Sequence, residues 1–213
     1  MLFVIKKFLK KTTFYKYWLI RRGAIKKYSE IQAFMDEAPP VLLCENFSKK
    51  PCVGIVKTQA LPLVEGYDDP KASWLRYERF CKNNDISYEF YDIKKSDWLE
   101  EANKFDIIVC HTEGNPAYQQ MFESKIYILE KILNKTCFPS FHEVWQYEDK
   151  NRSNYLYQCY KLPTIPTVVT SDKKEALAVG KKLGFPYIAK TTIGASSSGV
   201  FKINTQNQTT KIV

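Results

Sequence analysis

Three short runs constrain the fold of this chain more than any other feature: residues 52–58 (CVGIVKT), 87–93 (SYEFYDI) and 105–110 (FDIIVC). Each is rich in β-branched and aromatic residues and has the length of a strand. The first two are separated by DPKASWLRYERFCKNND, in which Trp74, Tyr77 and Cys81 share one helical face and Pro70 stands near the start. SDWLEEANK separates the second from the third and reads as a short helix capped by Ser96 or Asp97. A long helix is predicted after the third run, over about 116–134, with Tyr118, Met121, Phe122, Leu129 and Ile132 facing inward. Strands joined through helices pair in parallel and carry the helices on the faces of the sheet. Residues 49–145 are therefore predicted to form an α/β domain around a parallel sheet.

Residues 146–213 change character. NRSNYLYQCYKL reads as a helix, and PTIPTVVT as a proline-bounded edge segment leading into a strand. SDKKEALAVGKKLG is a helix with clear limits: Asp172 and Glu175 fit a capping box, and Gly184 fits the stop. Two strand-like runs, FPYIAK and GVFKI, then flank TTIGASSSG. A hairpin turn uses roughly two to five residues, so this loop is longer than the turn alone requires. The polar stretch that ends TTKIV resembles the start of a further helix.

The formal charge of +9 comes from one segment. Residues 1–28 hold nine Lys and Arg and no acid, which leaves 23 basic against 23 acidic residues in the rest of the chain. A neutral body with no reading motif argues against a nucleic-acid partner. Leu2, Ile5, Phe8 and Leu9 share one arc of a helical wheel, and Lys6, Lys7, Lys10 and Lys11 the opposite arc. Residues 1–48 are thus predicted to be a basic helical extension. Thr12 and Thr13 interrupt it, a second helix spans about 14–36, and EAPPV ends that helix. The extension suits peripheral contact with an anionic membrane, or equally a solvated basic face of helices packed on the body. The six cysteines form no CxxC pair and have only His111 and His142 as possible zinc-ligand company, so they read as reduced and mostly buried in a cytosolic protein. The early apolar run MLFVI is too short for a membrane span or a signal-peptide core.

A loop of Gly, Ser and Thr can present backbone N–H groups and hydroxyls to phosphate oxygens. Lys190 adds a positive charge where that loop begins. The loop is not a Walker loop, because it lacks GKT or GKS and leads into a strand, and it is not a GxGxxG fingerprint. The ordered set is more specific than its parts: the lysine of YEDK, a helix, LPTIPTVV, the helix KEALAVGKKLG, the strand FPYIAK, the loop, and the strand GVFKI. That array resembles the opening half of the ATP-grasp fold, as found in D-alanine–D-alanine ligase, biotin carboxylase and glutathione synthetase-like ligases. Residues 49–145 resemble the pre-ATP-grasp domain that precedes it. The likeness covers roughly residues 52–205 and is nearest to uncharacterised ATP-grasp proteins linked to bacterial surface-glycan (polysaccharide) synthesis.

By this resemblance, Lys190 matches the lysine that contacts nucleotide phosphates from the strand before the loop. Lys150 matches the earlier lysine that reaches the phosphates from the other side. Gly194, Ser196, Ser197, Ser198 and Gly199 match the flexible loop that closes over the β- and γ-phosphates. The resemblance implies ATP and Mg2+, and a carboxylate–amine (or thiol) ligase acting through an acyl phosphate. In the family, a second subdomain carries the metal ligands, the adenine hinge and an arginine for the reacting phosphate. The expectation is therefore a truncated ATP-grasp subdomain over 146–213: a fragment, a truncated gene product or one half of a split enzyme, inactive alone. No catalytic residue is assigned. His111, Glu113 and Asn115, just past the third strand, are candidates for an acceptor-substrate pocket, with a turn and an Asn115 helix cap as the plainer reading. The loop EGYDD at 65–69 is a candidate substrate edge or a solvated acidic loop. The alternative to a ligase is a non-catalytic scaffold held at the inner face of a membrane by the basic segment.

Overall fold

The computed structural model describes residues 13–43, 49–58, 65–111, 116–193 and 199–213. It divides into two compact units, residues 1–113 with 124–141, and residues 114–123 with 142–213. The elements are α1 (Thr13–Arg21), β1 (Lys26–Lys27), α2 (Tyr28–Asp36), β2 (Val53–Val56), β3 (Tyr67–Asp68), α3 (Ser73–Asn83), β4 (Tyr88–Tyr91), α4 (Trp98–Glu101), β5 (Ile107–Val109), α5 (Pro116–Tyr127), β6 (Thr136–Phe138), α6 (Phe141–Gln146), α7 (Lys150–Cys159), α8 (Lys173–Leu183), β7 (Tyr187–Lys190), β8 (Val200–Ile203) and α9 (Gln206–Ile212).

The first unit is built on a parallel sheet of order β4-β2-β5-β6. All four residues of β2 are buried, as a central strand covered on both faces requires. The three strand-like runs of the sequence became β2, β4 and β5, and the α/β class follows from them. The fourth strand, β6, is only TCF; its register against β5 (Ile107↔Thr136) is what makes it a strand. α3 buries Trp74, Leu75 and Cys81 against Val53, Ile55 and Ile86. α2 adds Ile31 to that core and is tied to it by a buried carboxylate. The Tyr28 and Tyr88 hydroxyls donate to Glu78 at 2.6 and 2.9 Å, and Lys82 lies 3.2 Å away. Glu78 thereby joins α2, α3 and β4.

Four details of the sequence reading are corrected. The helix expected over 14–36 is two helices. Gly23, at φ 65°, ends α1 with its N–H on the Ile20 carbonyl, and Lys26–Lys27 then pair with Tyr67–Asp68 as a short antiparallel ladder. The EGYDD segment is thus partly strand, and its Asp69 is buried. The long helix after β5 passes into a π-helical turn over Ile128–Ile132, which shifts the phase of its last residues. Phe122 and Leu129 are fully buried as expected, but Ile132 is exposed. PTIPTVVT forms no strand, since Pro163 and Pro166 lack the N–H that a ladder needs.

In the second unit the predicted hairpin is present, with β7 and β8 antiparallel from Tyr187↔Ile203 to Lys190↔Val200. α8 is capped by Asp172, whose carboxylate accepts from the Glu175 N–H at 2.7 Å. The final polar stretch is α9, capped by Thr205. The Tyr187 and Thr209 hydroxyls meet at 2.7 Å, and Gln206 donates to the Leu177 carbonyl at 2.8 Å, fixing α9 to the hairpin and to α8.

Candidate functional site

Lys150 and Lys190 stand forty positions apart, yet backbone pairing brings their segments together. Asp149 and Ile193 form an antiparallel bridge. The Lys150 N–H donates to the Thr192 carbonyl at 3.0 Å, and Asn151 Nδ2 to Thr192 Oγ1 at 3.2 Å. The segment entering α7 is thus joined to the one leaving β7. α7 starts at this point because Asp149 caps it, accepting from the N–H groups of Asn151 and Arg152, each at 3.0 Å. Arg152 then holds the cap. Its Nε is 3.3 Å from Asp149, its Nη1 reaches both Glu123 and the Trp145 carbonyl, and its guanidinium lies over the Trp145 ring. Lys150 is consequently placed by a restrained helix start and Lys190 by the end of a paired strand.

Both lysines line one cavity of about 540 Å³, together with Glu148, Asn154, Tyr157 and Ile165. Lys190 is exposed and Lys150 half-buried. The residue before the cap, Glu148, sits at φ 53°, in the left-handed region where a non-glycine residue is strained. Beside it, burial raises the pKa of the Tyr147 phenol, and the Glu148 charge raises it further. Two lysines and two carboxylates, Glu148 and Asp149, thus line one cavity. Asn154, on the same helix as Lys150, is buried.

Of the loop expected to close over phosphates, Gly199 is described. It sits at φ 71°, its carbonyl accepts from the Thr191 N–H at 2.9 Å, and a Cβ there would overlap the Thr191 side chain. Gly194, Ser196, Ser197 and Ser198 lie outside the described residues, as do Glu113 and Asn115. His111 belongs to the first unit. Its side chain is exposed just past β5, and its carbonyl accepts from the buried Thr58 hydroxyl past β2 at 2.9 Å. β2 and β5 are the neighbours between which the strand order reverses, where open α/β sheets place ligands. His142 stacks on Trp145 of its own helix.

The sequence reading missed Glu148, Asn154 and Tyr157 as cavity residues. A signal was present: Lys150, Ser153, Asn154 and Tyr157 stand at i, i+3, i+4 and i+7, one polar stripe on a helix. A larger cavity of about 690 Å³ lies in the first unit among Phe34, Met35, Tyr77 and Phe80. It is mostly apolar, is also lined by Arg76 and Arg79, and contains none of the candidate site residues of the sequence. Among the described residues no group of three His, Cys, Asp or Glu is placed to hold a metal, and no helix is long and apolar enough to cross a membrane.

No family model and no curated protein matches the chain. Among solved structures it is similar to the biotin carboxylase domain of 2-oxoglutarate carboxylase from Hydrogenobacter thermophilus, in complex with MgADP, ADP and bicarbonate. The identity is 18%, the match covers 62% of this chain and 31% of that one, and the TM-score is 0.41. It is also similar to N5-carboxyaminoimidazole ribonucleotide synthetase from Thermus thermophilus, at 13% identity over 75% of this chain and 36% of that one, with a TM-score of 0.44. The chain spans about a third of the length of each of these proteins.

Proposed function

We propose that the second unit is the phosphate-binding part of an ATP-grasp carboxylate–amine (or thiol) ligase. The observation that supports this most is that Lys150 and Lys190 line one cavity at the loop end of the β7–β8 hairpin. ATP carries about four negative charges, and phosphoryl transfer is catalysed mainly by positioning and charge stabilisation. In this reading, Lys150 and Lys190 hold phosphate oxygens, and Gly199 with Gly194 and Ser196–Ser198 forms the covering loop. Residues 49–145 are the pre-ATP-grasp domain, with His111, Glu113 and Asn115 at its acceptor edge, and 146–213 are the first ATP-grasp subdomain. The residues of the cavity fit the anionic nucleotide. Magnesium usually takes one or two carboxylates plus phosphate oxygens, and among the described residues no group of three such ligands is placed to hold it. The reaction in this reading passes through an acyl phosphate and serves surface-glycan synthesis.

Calorimetry of the full chain with ATP and magnesium tests the reading. Weak binding is expected, reduced about two- to fivefold by Lys190→Ala and by Lys150→Ala, the range for partly exposed charge pairs, with no steady phosphate release. Binding that ignores both substitutions overturns the site. Micromolar binding abolished by Lys190→Ala, or sustained phosphate release, overturns the view that it is only part of one.

The exposed aromatics of the first unit favour a second reading. Tyr17 and Trp18 are exposed, with Arg21 and Arg22 following in sequence and the Arg22 guanidinium over the Trp18 ring, a mixture of aromatic and basic groups suited to an anionic membrane surface. We therefore add peripheral attachment at the inner face of a membrane. Co-sedimentation with liposomes should rise with anionic lipid and fall with salt, and binding indifferent to lipid charge excludes it.

A further inference from the structure

The larger cavity, of about 690 Å³, lies within the first unit and shares no residue with the lysine cavity. Its size falls in the range of small-molecule sites, roughly 300–1,000 Å³. Three pieces of chain enclose it. α3 contributes Tyr77 and Phe80, which also pack partly on the core, and α2 contributes Phe34 and Met35. Segment 37–43 contributes Ala38 and Val41. That segment is pinned to α3 by polar contacts. Arg79 donates to the Ala38 carbonyl, Asn84 Nδ2 to the Val41 carbonyl at 2.9 Å, and the Leu43 N–H to Asn84 Oδ1 at 2.7 Å. Pro39 and Pro40 stiffen the stretch between the pins. A wall held in this way keeps open a space that apolar packing alone would close. Phe34 and Val41 line the cavity and yet remain 71% and 68% exposed, and apolar side chains left open beside a cavity mark a ligand site.

The charges of the cavity narrow the ligand. Arg76, Arg79 and Glu37 line it. Among the described residues neither arginine forms an ion pair with an acid, Glu37 included. Two guanidinium groups outnumber one carboxylate, so an anionic group is favoured over a neutral one, and a neutral one over a cation. Arg76 is exposed and stands one helical turn before Phe80, which puts a charged group next to an apolar wall. We propose that this cavity binds an amphiphile with an apolar chain and an anionic head. The chain lies against Phe34, Met35, Tyr77 and Phe80, where the flexible Met35 adapts to its path. The head pairs with Arg76 and Arg79, whose planar guanidinium groups suit a carboxylate or a phosphate. The site is independent of the nucleotide reading.

Titration of the full chain with decyl phosphate, decanoate, decanol and decyltrimethylammonium, each below its micelle concentration and followed by ligand-observed NMR, tests this. The two anions should bind about two- to fivefold tighter than decanol, the range for partly exposed charge pairs, and the cation should bind weakest. Whichever anion binds tighter names the head group. From octyl to decyl phosphate the affinity should rise by up to about fourfold per methylene, the effect of burying apolar chain. Arg76→Gln should remove most of the preference for anions and leave decanol binding unchanged. Phe34→Asp should weaken all four ligands, and Phe34→Ala carries the same test if the aspartate variant does not fold. Equal binding of the four heads overturns the proposal, as does a preference for anions that survives Arg76→Gln and Arg79→Gln together. An affinity indifferent to chain length or to Phe34 overturns it too, as does a wild type that binds none of the four. Self-association in sedimentation that Phe34→Asp abolishes, with no amphiphile bound, assigns the face to a second copy of the chain instead.

Discussion

Gly199 shows how much one residue decides in the hairpin. It combines a left-handed backbone with a close approach to Thr191, so Gly199→Ala meets strain and overlap at once. We expect a loss of roughly 1–3 kcal/mol, read by urea denaturation, with the damage confined in hydrogen exchange to β7 and β8. Tyr88 shows a different residue effect. Burial, and then its hydrogen bond to Glu78, pushes its phenol up to about 12 from the ordinary 10.0. The unfolded chain therefore loses this proton at lower pH than the folded one. The stabilisation is complete below pH 10.0 and is lost as pH rises toward about 12. Tyr88→Phe should flatten the fall of Tm with pH across that window, and an unchanged slope would show that Glu78 is not holding this proton.

At the scale of elements, the start of α7 does most to build the candidate site. Asp149 caps the helix, bridges to Ile193 and pairs with Arg152. Asp149→Ala should lower stability by about 1 kcal/mol for the lost cap, measured by denaturation. It should also weaken ATP binding, because Lys150 follows immediately and loses its restrained start. Asp149→Asn, which keeps a cap acceptor, should recover most of the stability. Parts of this arrangement were legible in the sequence. Asp172, Gly184 and the flanking strands of the hairpin follow local rules of spacing and conformation. Asn154 was equally visible as the i+4 neighbour of Lys150, but a polar stripe on one helix does not say whether it faces solvent or a cavity. β6 could not be read, since TCF is too short to show a period and becomes a strand only by pairing with β5.

Across the whole molecule, the cysteines report how the chain is enclosed. Burial raises the thiol of Cys81 to about 11 and those of Cys110 and Cys137 to about 12, with nearby charges a smaller cause. Cys159 is exposed and Cys52 half-buried. With iodoacetamide near pH 8, mass spectrometry should find Cys159 modified first among these five. Cys81, Cys110 and Cys137 should remain unmodified until denaturant is added, because the thiolate is the reactive form and is scarce at these sites. Early labelling of Cys110 would show that the parallel sheet is less well covered than its buried β2 implies.

Local sequence was enough for the elements and their class: strands separated by helices, two capped helices, a hairpin around a polar loop, and one basic segment on a neutral body. These follow from periodicity, capping and composition, which act over a few residues. Long-range pairing and burial settled the rest, and they exist only in the folded chain. They split the predicted 14–36 helix through the left-handed Gly23 and the β1–β3 ladder, and they added β6 to the sheet. They also brought Lys150 and Lys190 to one cavity through the Asp149–Ile193 bridge. The burial of Asn154 belongs to this second group, because a side chain is enclosed only once its neighbours have closed around it.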